Sequence, residues 1–575
     1  MPSRNFGVLV IFFILMSSMI YALATKSVPL WLYITLSIAA GITLAILLMG
    51  RDQKRASIYV SMITLALILW NFHAIATHYN MIAFYDSYQE LVHLKLILSE
   101  GHLKIGAYYP ELGVGPGHSV YYPLLSLLAS SFAMATGLDP LRVGVLLPFA
   151  PATLMLLSTF LIAKRLLANS KAKELALPLA LLAFAVSPDM IYSSTHFYHR
   201  ELSLALCFLL LYFSIKYLLN ELRVGHLFIL ILLISILPLS HSAYPSVYTV
   251  FFTTLTALCL LYRFLPARLK GDEGKIKPTL IPALLLFAAG FLWNFTVNYP
   301  SPISYNLKGY INNILHPKFE VGDVARFQAQ AAPVMPDVVR PWPWTILLHA
   351  RDILIIAPLA IMGIAFAYKL AIGRLKDRVE LVAMITMASF IPMISSDYIA
   401  GWYPLFFRHY AFPLVAFSFG LLYGLLAKLK PMRYGVSMLI VFLVSMAFLS
   451  PFWHVYYPRQ LYDPSVEWKE VGFPNPYYVS FGDFAKSHEF NCKFTLSDFK
   501  ELLATTLPVG DLERVRGLDH YGEPNTCIVE FISLRPNLGY NSPEAVKIRE
   551  AIRMRIDYDY CKVVDASLYS VYWKP

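Results

Sequence analysis

Long apolar runs separated by short polar connections make up most of this 575-residue chain. A helix needs about 20 mainly apolar residues to cross the hydrocarbon core of a bilayer. Thirteen runs reach or approach that length, at 6–24, 28–49, 57–77, 141–163, 175–191, 202–219, 226–240, 245–262, 279–297, 352–370, 380–396, 404–427 and 434–451. The pattern predicts an all-α polytopic membrane protein of about thirteen transmembrane helices. Past residue 451 the pattern changes. Residues 452–575 are polar, carry charge of both signs, and contain short alternating segments such as TCIVEFISL and CKVVDASLYSVYW. Period-two alternation predicts strands, so this region is expected to form a small α/β domain.

The sign of the loops gives the chain a sidedness. With a cytoplasmic N-terminus, alternate loops collect basic residues: Arg51, Lys54 and Arg55, then Lys164, Arg165, Lys171 and Lys173, then Lys216 and Arg223. The series continues with Arg263, Arg268, Lys270, Lys275 and Lys277, with Lys369, Arg374, Lys376 and Arg378, and with Lys428, Lys430 and Arg433. The short loops between these clusters hold almost no basic residues, as expected of the outer side. Residues 119–136 are apolar enough to span, yet counting them as a span would invert every later cluster. They are therefore expected to lie along the outer interface or to re-enter from it. Asp86, His118, His199, His241, Arg408 and the tail then share the extracytoplasmic side. The first apolar run leads directly into the second, and no secretory cleavage site is expected between them.

Composition agrees with this picture. Hydrophobic residues are 57% of the chain and charged residues 14%, against roughly 25% charged in soluble domains. The formal charge of +11 lies mainly in the short loops, where it orients the protein, so no nucleic-acid partner is expected. Cys207 and Cys259 fall in apolar runs and read as packing residues. Cys492, Cys527 and Cys561 fall in the tail and allow one disulfide of open pairing.

Candidate chemistry gathers in the outer loops. The stretch from Tyr79 to Pro123 carries Asp86 and Glu90 one helical turn apart, on one face of a helix, with His93 three positions on. His118 follows a turn rich in glycine. A divalent cation, Mg or Mn, held by Asp86, Glu90 and His93 is one role for that face, and plain water-facing polarity is the other. The next outer loop ends in His196, His199, Arg200 and Glu201, and a later one holds His241. The connection 298–351 includes Trp342 and Trp344, and a structureless connection of that length is expected to be either functional or partly disordered. Arg408 and His409 stand near the start of the apolar run that ends at 427.

Four of these places resemble the GT-C superfamily of membrane glycosyltransferases, the group that includes protein mannosyltransferases, aminoarabinose transferases and oligosaccharyltransferases. Asp86 follows an early span at the start of the first large outer loop. That loop continues with Ile97 to Leu103 and with Tyr121-Tyr122-Pro123-Leu124-Leu125. A second outer loop ends in Tyr198-His199-Arg200-Glu201, and Arg408-His409-Tyr410-Ala411-Phe412-Pro413 is similar to a late phrase of the superfamily. The resemblance implies a GT-C-like transmembrane catalytic domain over 57–451 with outer loops 78–140 and 298–351. An added N-terminal hairpin would occupy 1–56 and an extracytoplasmic domain 452–575. No Trp-Trp-Asp-Tyr-Gly phrase occurs, which favours transfer of one sugar over a whole oligosaccharide.

The resemblance also implies roles. The donor would be a polyprenyl-phosphate-linked sugar, bound beside membrane lipid, and the acceptor is open among protein, lipid and polysaccharide. Asp86 would be the general base, Glu201 a second catalytic acid, and Arg200 a donor-phosphate ligand. Arg408, a fixed and always-charged fork at the membrane edge, suits the phosphate leaving group. Glu90, His118, His199 and His241 are candidate substrate-binding residues. Each has a plainer reading: Asp86 as a helix cap, Arg200–Glu201 as an ion pair, Arg408 as a snorkelling side chain, the histidines and tryptophans as interfacial groups. A transporter would place ionisable groups within its spans, which are scarce here. A non-catalytic scaffold would leave the Asp86 stretch without a use.

Overall fold

The computed structural model describes residues 85–102, 122–170, 173, 176–177, 179–180, 197–241, 243–264, 280–293, 342–373, 377–399, 413–418 and 420–421. It also describes five strands between 494 and 574. The three spans expected before residue 78, the one at 434–451, and His118, His196 and Arg408 lie outside the described residues.

Among the described residues the principal helices, in chain order, are α1 (Tyr85–Glu100), α2 (Leu124–Thr136), α3 (Pro140–Leu146), α4 (Phe149–Leu166), α5 (His199–Leu218), α6 (Val224–Ile236), α7 (Ala243–Phe264), α8 (Leu280–Leu292), α9 (Trp342–Ala371) and α10 (Arg378–Ile399). Residues 413–418 are also helical. The centre of the bundle is α5. Its residues from Leu204 to Cys207, with Phe208, Leu210, Leu211, Ile215 and Leu218, are all buried, as befits a helix that is apolar on every side. It packs closely on α4, and α7 packs on α8 and α10.

The outside of this bundle is apolar as well. Leu227, Phe228, Ile231 and Leu232 of α6, Leu284, Phe287 and Phe291 of α8, Ile364 of α9 and Ile391 of α10 are all exposed. Apolar surface on this scale, around helices whose backbone is satisfied internally, belongs in lipid. The chain is a multi-pass membrane protein. By length and composition, Pro140–Leu166 and His199–Leu218 are each long and apolar enough to cross.

At 20 residues, α5 is about 30 Å long, close to the thickness of the hydrocarbon core. Its two ends differ in chemistry. At the C-terminal end Arg165 pairs with Glu221 through Nε–Oε2 at 2.6 Å and through a second, Nη2–Oε1 contact. Nearby, Arg378 Nη2 donates to the Leu218 carbonyl at 3.1 Å and Asn169 donates to Asp377. Lys369 reaches Glu380 at 2.7 Å. The basic loop residues Arg165, Lys369 and Arg378 thus collect with acceptors at the loop ends of their helices, while His199 stands at the other end of α5.

The segment 119–136 contains α2. At 13 residues it is about 20 Å long, shorter than the hydrocarbon core is thick. Leu125, Ser126, Ala129, Ser130 and Ala133 face inward, while Leu127, Leu128 and Met134 are exposed. Gly137 ends it at φ 70° in the left-handed region, with its N–H on the Ala133 carbonyl. Glycine takes that conformation without a side-chain clash. Asp139 then caps α3, accepting from the Arg142 N–H at 3.1 Å, with Pro140 at the first helical position.

One connection differs from expectation. The sequence pattern predicts loop through 298–351, up to the span at 352–370, but α9 begins at Trp342. The Pro-Trp-Pro-Trp phrase reads as a loop signal. Yet Pro343 falls in the first turn of the helix, where its missing N–H costs nothing.

The tail strands are β1 (Phe494–Leu496), β2 (Val515–Arg516), β3 (Thr526–Phe531), β4 (Cys561–Asp565) and β5 (Tyr569–Lys574), in the order β2-β1-β3-β5-β4. β1 runs parallel to both β2 and β3, whereas β5 runs antiparallel to β3 and β4. Trp573 is the register partner of Cys527 on one side and Cys561 on the other. Two strand spacings, about 9.5 Å, then separate these cysteines, beyond the roughly 7 Å limit for a disulfide.

Two outcomes follow. Peptide mapping of the non-reduced protein is expected to find no Cys527–Cys561 bridge, and finding one would mean the register is wrong. Separately, a Cβ on Gly420 would stand 2.6 Å from Leu167 Cδ1 and 3.0 Å from Leu179 Cδ1. Gly420→Val is expected to cost about 1–3 kcal/mol in thermal unfolding of the detergent-solubilised protein, and Gly420→Ala less, because the tip of Leu167 can shift.

Candidate functional site

Three helices that are distant in sequence meet at the N-terminal end of α5. α1 contributes Glu90, α2 contributes Ser126, and α5 begins at His199. Nδ1 of His199 donates to Glu90 Oε1 at 2.6 Å across 109 residues of chain, and Ser126 Oγ donates to Glu90 Oε2 at 3.2 Å. The His199 side chain is 0% exposed and that of Glu90 1%. A carboxylate with so little solvent depends on the donors around it, because burying it unpaired is costly.

Aromatic groups surround the pair. The His199 ring lies 4.1 Å from the Tyr198 ring and 4.9 Å from that of His241, and the buried Tyr122 ring lies 6.4 Å from His199 and 6.2 Å from His241. Ser240, next to His241, places its hydroxyl 2.9 Å from Ser203 Oγ on α5 and donates to the Leu237 carbonyl at 2.6 Å. This holds the start of the His241 loop on α5. Alongside His199, the Arg200 guanidinium donates Nε–H to Glu201 Oε1 at 2.9 Å and Nη2–H to the same oxygen at 2.6 Å. Glu201 is buried, whereas Arg200 is a quarter exposed. The plainer ion-pair reading of Arg200–Glu201 therefore describes the contact that is present.

The structure brings together Glu90, His199, Arg200, Glu201 and His241 from the expected site residues. Asp86 lies in α1 four residues before Glu90, about one turn away along the same face, and its side chain lies outside the described residues. His93 is buried three positions after Glu90. His118 and Arg408 lie outside the described residues. The cation role for Asp86, Glu90 and His93 rests in part on the Asp86 side chain, which lies outside the described residues. Among the described residues no three His, Cys, Asp or Glu side chains converge to hold a metal ion, and both Glu90 oxygens carry hydrogen bonds from protein donors.

Sequence reasoning missed Ser126, and it named Tyr122 and Tyr198 only within the resemblance phrases, with no role at the site. A signal for Ser126 was present: Ser126, Ala129, Ser130 and Ala133 form a stripe of small residues at helical spacing, the pattern by which one helix seats closely on another in a membrane.

Fold and site together define a polytopic membrane protein with a buried acid–histidine cluster at one end of its helices and paired charges at the other. No protein-family model and no curated protein matches the sequence. Solved structures with some likeness include the apo oligosaccharyltransferase of Archaeoglobus fulgidus, at TM-score 0.49 and 12% identity. That match covers 80% of this chain, which spans 63% of the length of the oligosaccharyltransferase. ArnT from Cupriavidus metallidurans bound to undecaprenyl phosphate has a TM-score of 0.45 and 11% identity, covering 89% of this chain and 97% of that one. The Archaeoglobus fulgidus enzyme AglB, in complex with an inhibitory peptide and a dolichol-phosphate, has a TM-score of 0.44 and 13% identity over 79% of this chain and 64% of its own.

The buried bond to Ser126 makes a stability forecast. Ser126→Ala is expected to lower unfolding stability by about 1 kcal/mol, the net worth of such a hydrogen bond. The exposed Ser131, which bonds to the Leu127 carbonyl of its own helix, is expected to tolerate alanine within about 0.5 kcal/mol. Equal thermal shifts for the two variants would remove the distinction.

Proposed function

We propose that this chain is a membrane glycosyltransferase of GT-C type that moves a single sugar from a polyprenyl-phosphate donor to an acceptor hydroxyl at the extracytoplasmic face. The observation that carries this reading is the cluster at the start of α5. The two stretches on which the sequence resemblance rests, around Asp86 and around His199-Arg200-Glu201, are joined there by the Glu90–His199 hydrogen bond. The domain division into an N-terminal hairpin over 1–56, a catalytic membrane domain over 57–451 and an extracytoplasmic domain over 452–575 belongs to the same proposal.

The chemistry is a single displacement. Asp86 takes the proton of the acceptor hydroxyl as its oxygen bonds to the anomeric carbon. The bond from that carbon to the phosphate oxygen breaks, and its electron pair leaves with the lipid phosphate, so the anomeric configuration inverts. Arg408 and Arg200 are the proposed cations that meet the phosphate charge as it grows. Arg200 already holds its guanidinium against Glu201, which fixes the fork before any donor arrives. Glu201 is the alternative base. His241, whose ring stacks on that of His199, and His118 are the residues proposed to contact the sugar. The donor brings its own activation, so the step needs no nucleotide.

Purified protein in lipid, given a panel of polyprenyl-phosphate monosaccharides and candidate acceptors, is expected to transfer from one donor. Asp86→Asn keeps the shape of the side chain and removes the base, so a folded variant is expected to lose about 100-fold to 10,000-fold in rate. Undiminished transfer by that variant would move the base to Glu201. Neither transfer nor donor hydrolysis by wild type, across the panel, would sink the proposed activity.

A further inference from the structure

Resting on the functional reading above, the geometry points to Glu90 and His199 as a positioning pair: a buried strut that holds the Asp86 helix against the Arg200–Glu201 end of α5, rather than a pair that touches substrate. Substrate contact is the role the sequence suggests for both residues. At 1% and 0% side-chain exposure, neither presents a surface to a sugar. The two are joined by the 2.6 Å bond from His199 Nδ1 to Glu90 Oε1.

The placement explains why the strut matters to the reaction. Asp86 is one turn from Glu90 on α1, about 6 Å along the helix axis. Arg200 and Glu201 follow His199 directly in the first turn of α5. This hydrogen bond therefore ties the helix that carries the proposed base to the helix end that carries the proposed phosphate-side charges. Ser126 extends the strut to α2 by holding the second oxygen of Glu90. The His241 and Tyr198 rings, at 4.9 and 4.1 Å, confine the imidazole so that Nδ1 stays aimed at the carboxylate. A shift of about 1 Å between reacting groups is enough to cost a hundredfold in rate, so a positioning pair acts on turnover more than on donor affinity.

The test uses the full chain in lipid nanodiscs, with Glu90→Gln, His199→Asn and the double variant, read by hydrogen exchange and by steady-state transfer. Each single variant is expected to speed amide exchange in 85–100 and 199–203 by about threefold or more. Each is also expected to lower kcat by about 10-fold to 100-fold with the donor KM moving less than about threefold. The double variant should be no slower than the worse single one, as for two ends of one strut. A rise in KM at constant kcat would show substrate contact and overturn the inference. So would multiplicative losses in the double variant, or unchanged exchange in the folded single variants. Should Glu90→Gln fail to fold, Ser126→Ala is the milder probe, expected to speed exchange in 85–100 and lower kcat by a smaller factor, and no effect on either would overturn the strut. If wild type transfers no sugar, the functional proposal fails by itself, and the exchange measurements still decide whether Glu90 and His199 hold the two helices together.

Discussion

A bilayer interior offers no water to a polar group, and the architecture of this chain follows from that constraint. Its backbone closes its own hydrogen bonds in helices, and its surface is apolar on α6, α8, α9 and α10. Among the described residues the pairs Arg165–Glu221, Arg200–Glu201 and Lys369–Glu380 stand at or near helix ends. α5 measures the constraint: largely apolar from Leu204 to Leu218, it separates the Glu90–His199 cluster from the Arg165–Glu221 and Arg378–Leu218 contacts. Within that stretch Ser214 satisfies its hydroxyl on the Leu210 carbonyl of its own helix, the usual way for such a group to enter a membrane helix.

Against that background the buried acid and imidazole stand out. A carboxylate and a histidine with almost no solvent exposure are costly unless each supplies what the other lacks. Glu90 accepts from His199 and from Ser126, so three helices are committed to one carboxylate. Low dielectric strengthens such bonds and raises the cost of losing any one of them. A polar network in this setting specifies geometry more than it adds stability. That is the property a transfer site needs, since its base and its phosphate-side charges must be held at a set distance before substrate arrives.

The helices were largely legible because the hydrocarbon thickness and the 3.6-residue period are both written into local composition. The runs at 202–219, 245–262 and 380–396 correspond to α5, α7 and α10, and the segments TCIVEFISL and CKVVDASLYSVYW contain β3, β4 and β5. The start of α9 was not legible. Pro343 and the tryptophans carry the same local signal in a loop as in a first helical turn, and only the helix that follows tells them apart. The site was half legible. Glu90, His199 and His241 could be singled out as polar residues in an apolar chain. Ser126 passed unremarked, because a serine in an apolar run is ordinary until its small-residue stripe is read as a packing face.

By itself the sequence determined the number and order of apolar runs, the alternation of basic loops and the strand-forming character of the tail, since hydropathy, charge sign and two-residue alternation are properties of neighbours along a chain. Tertiary structure alone decided that Glu90 faces His199 across 109 residues. It also decided that Cys527 and Cys561 flank Trp573 from opposite sides. The physical reason is the same for the helix pair and the strand pair. Periodicity says which face a side chain occupies, but the partner on that face is chosen by how helices or strands from far along the chain come to pack.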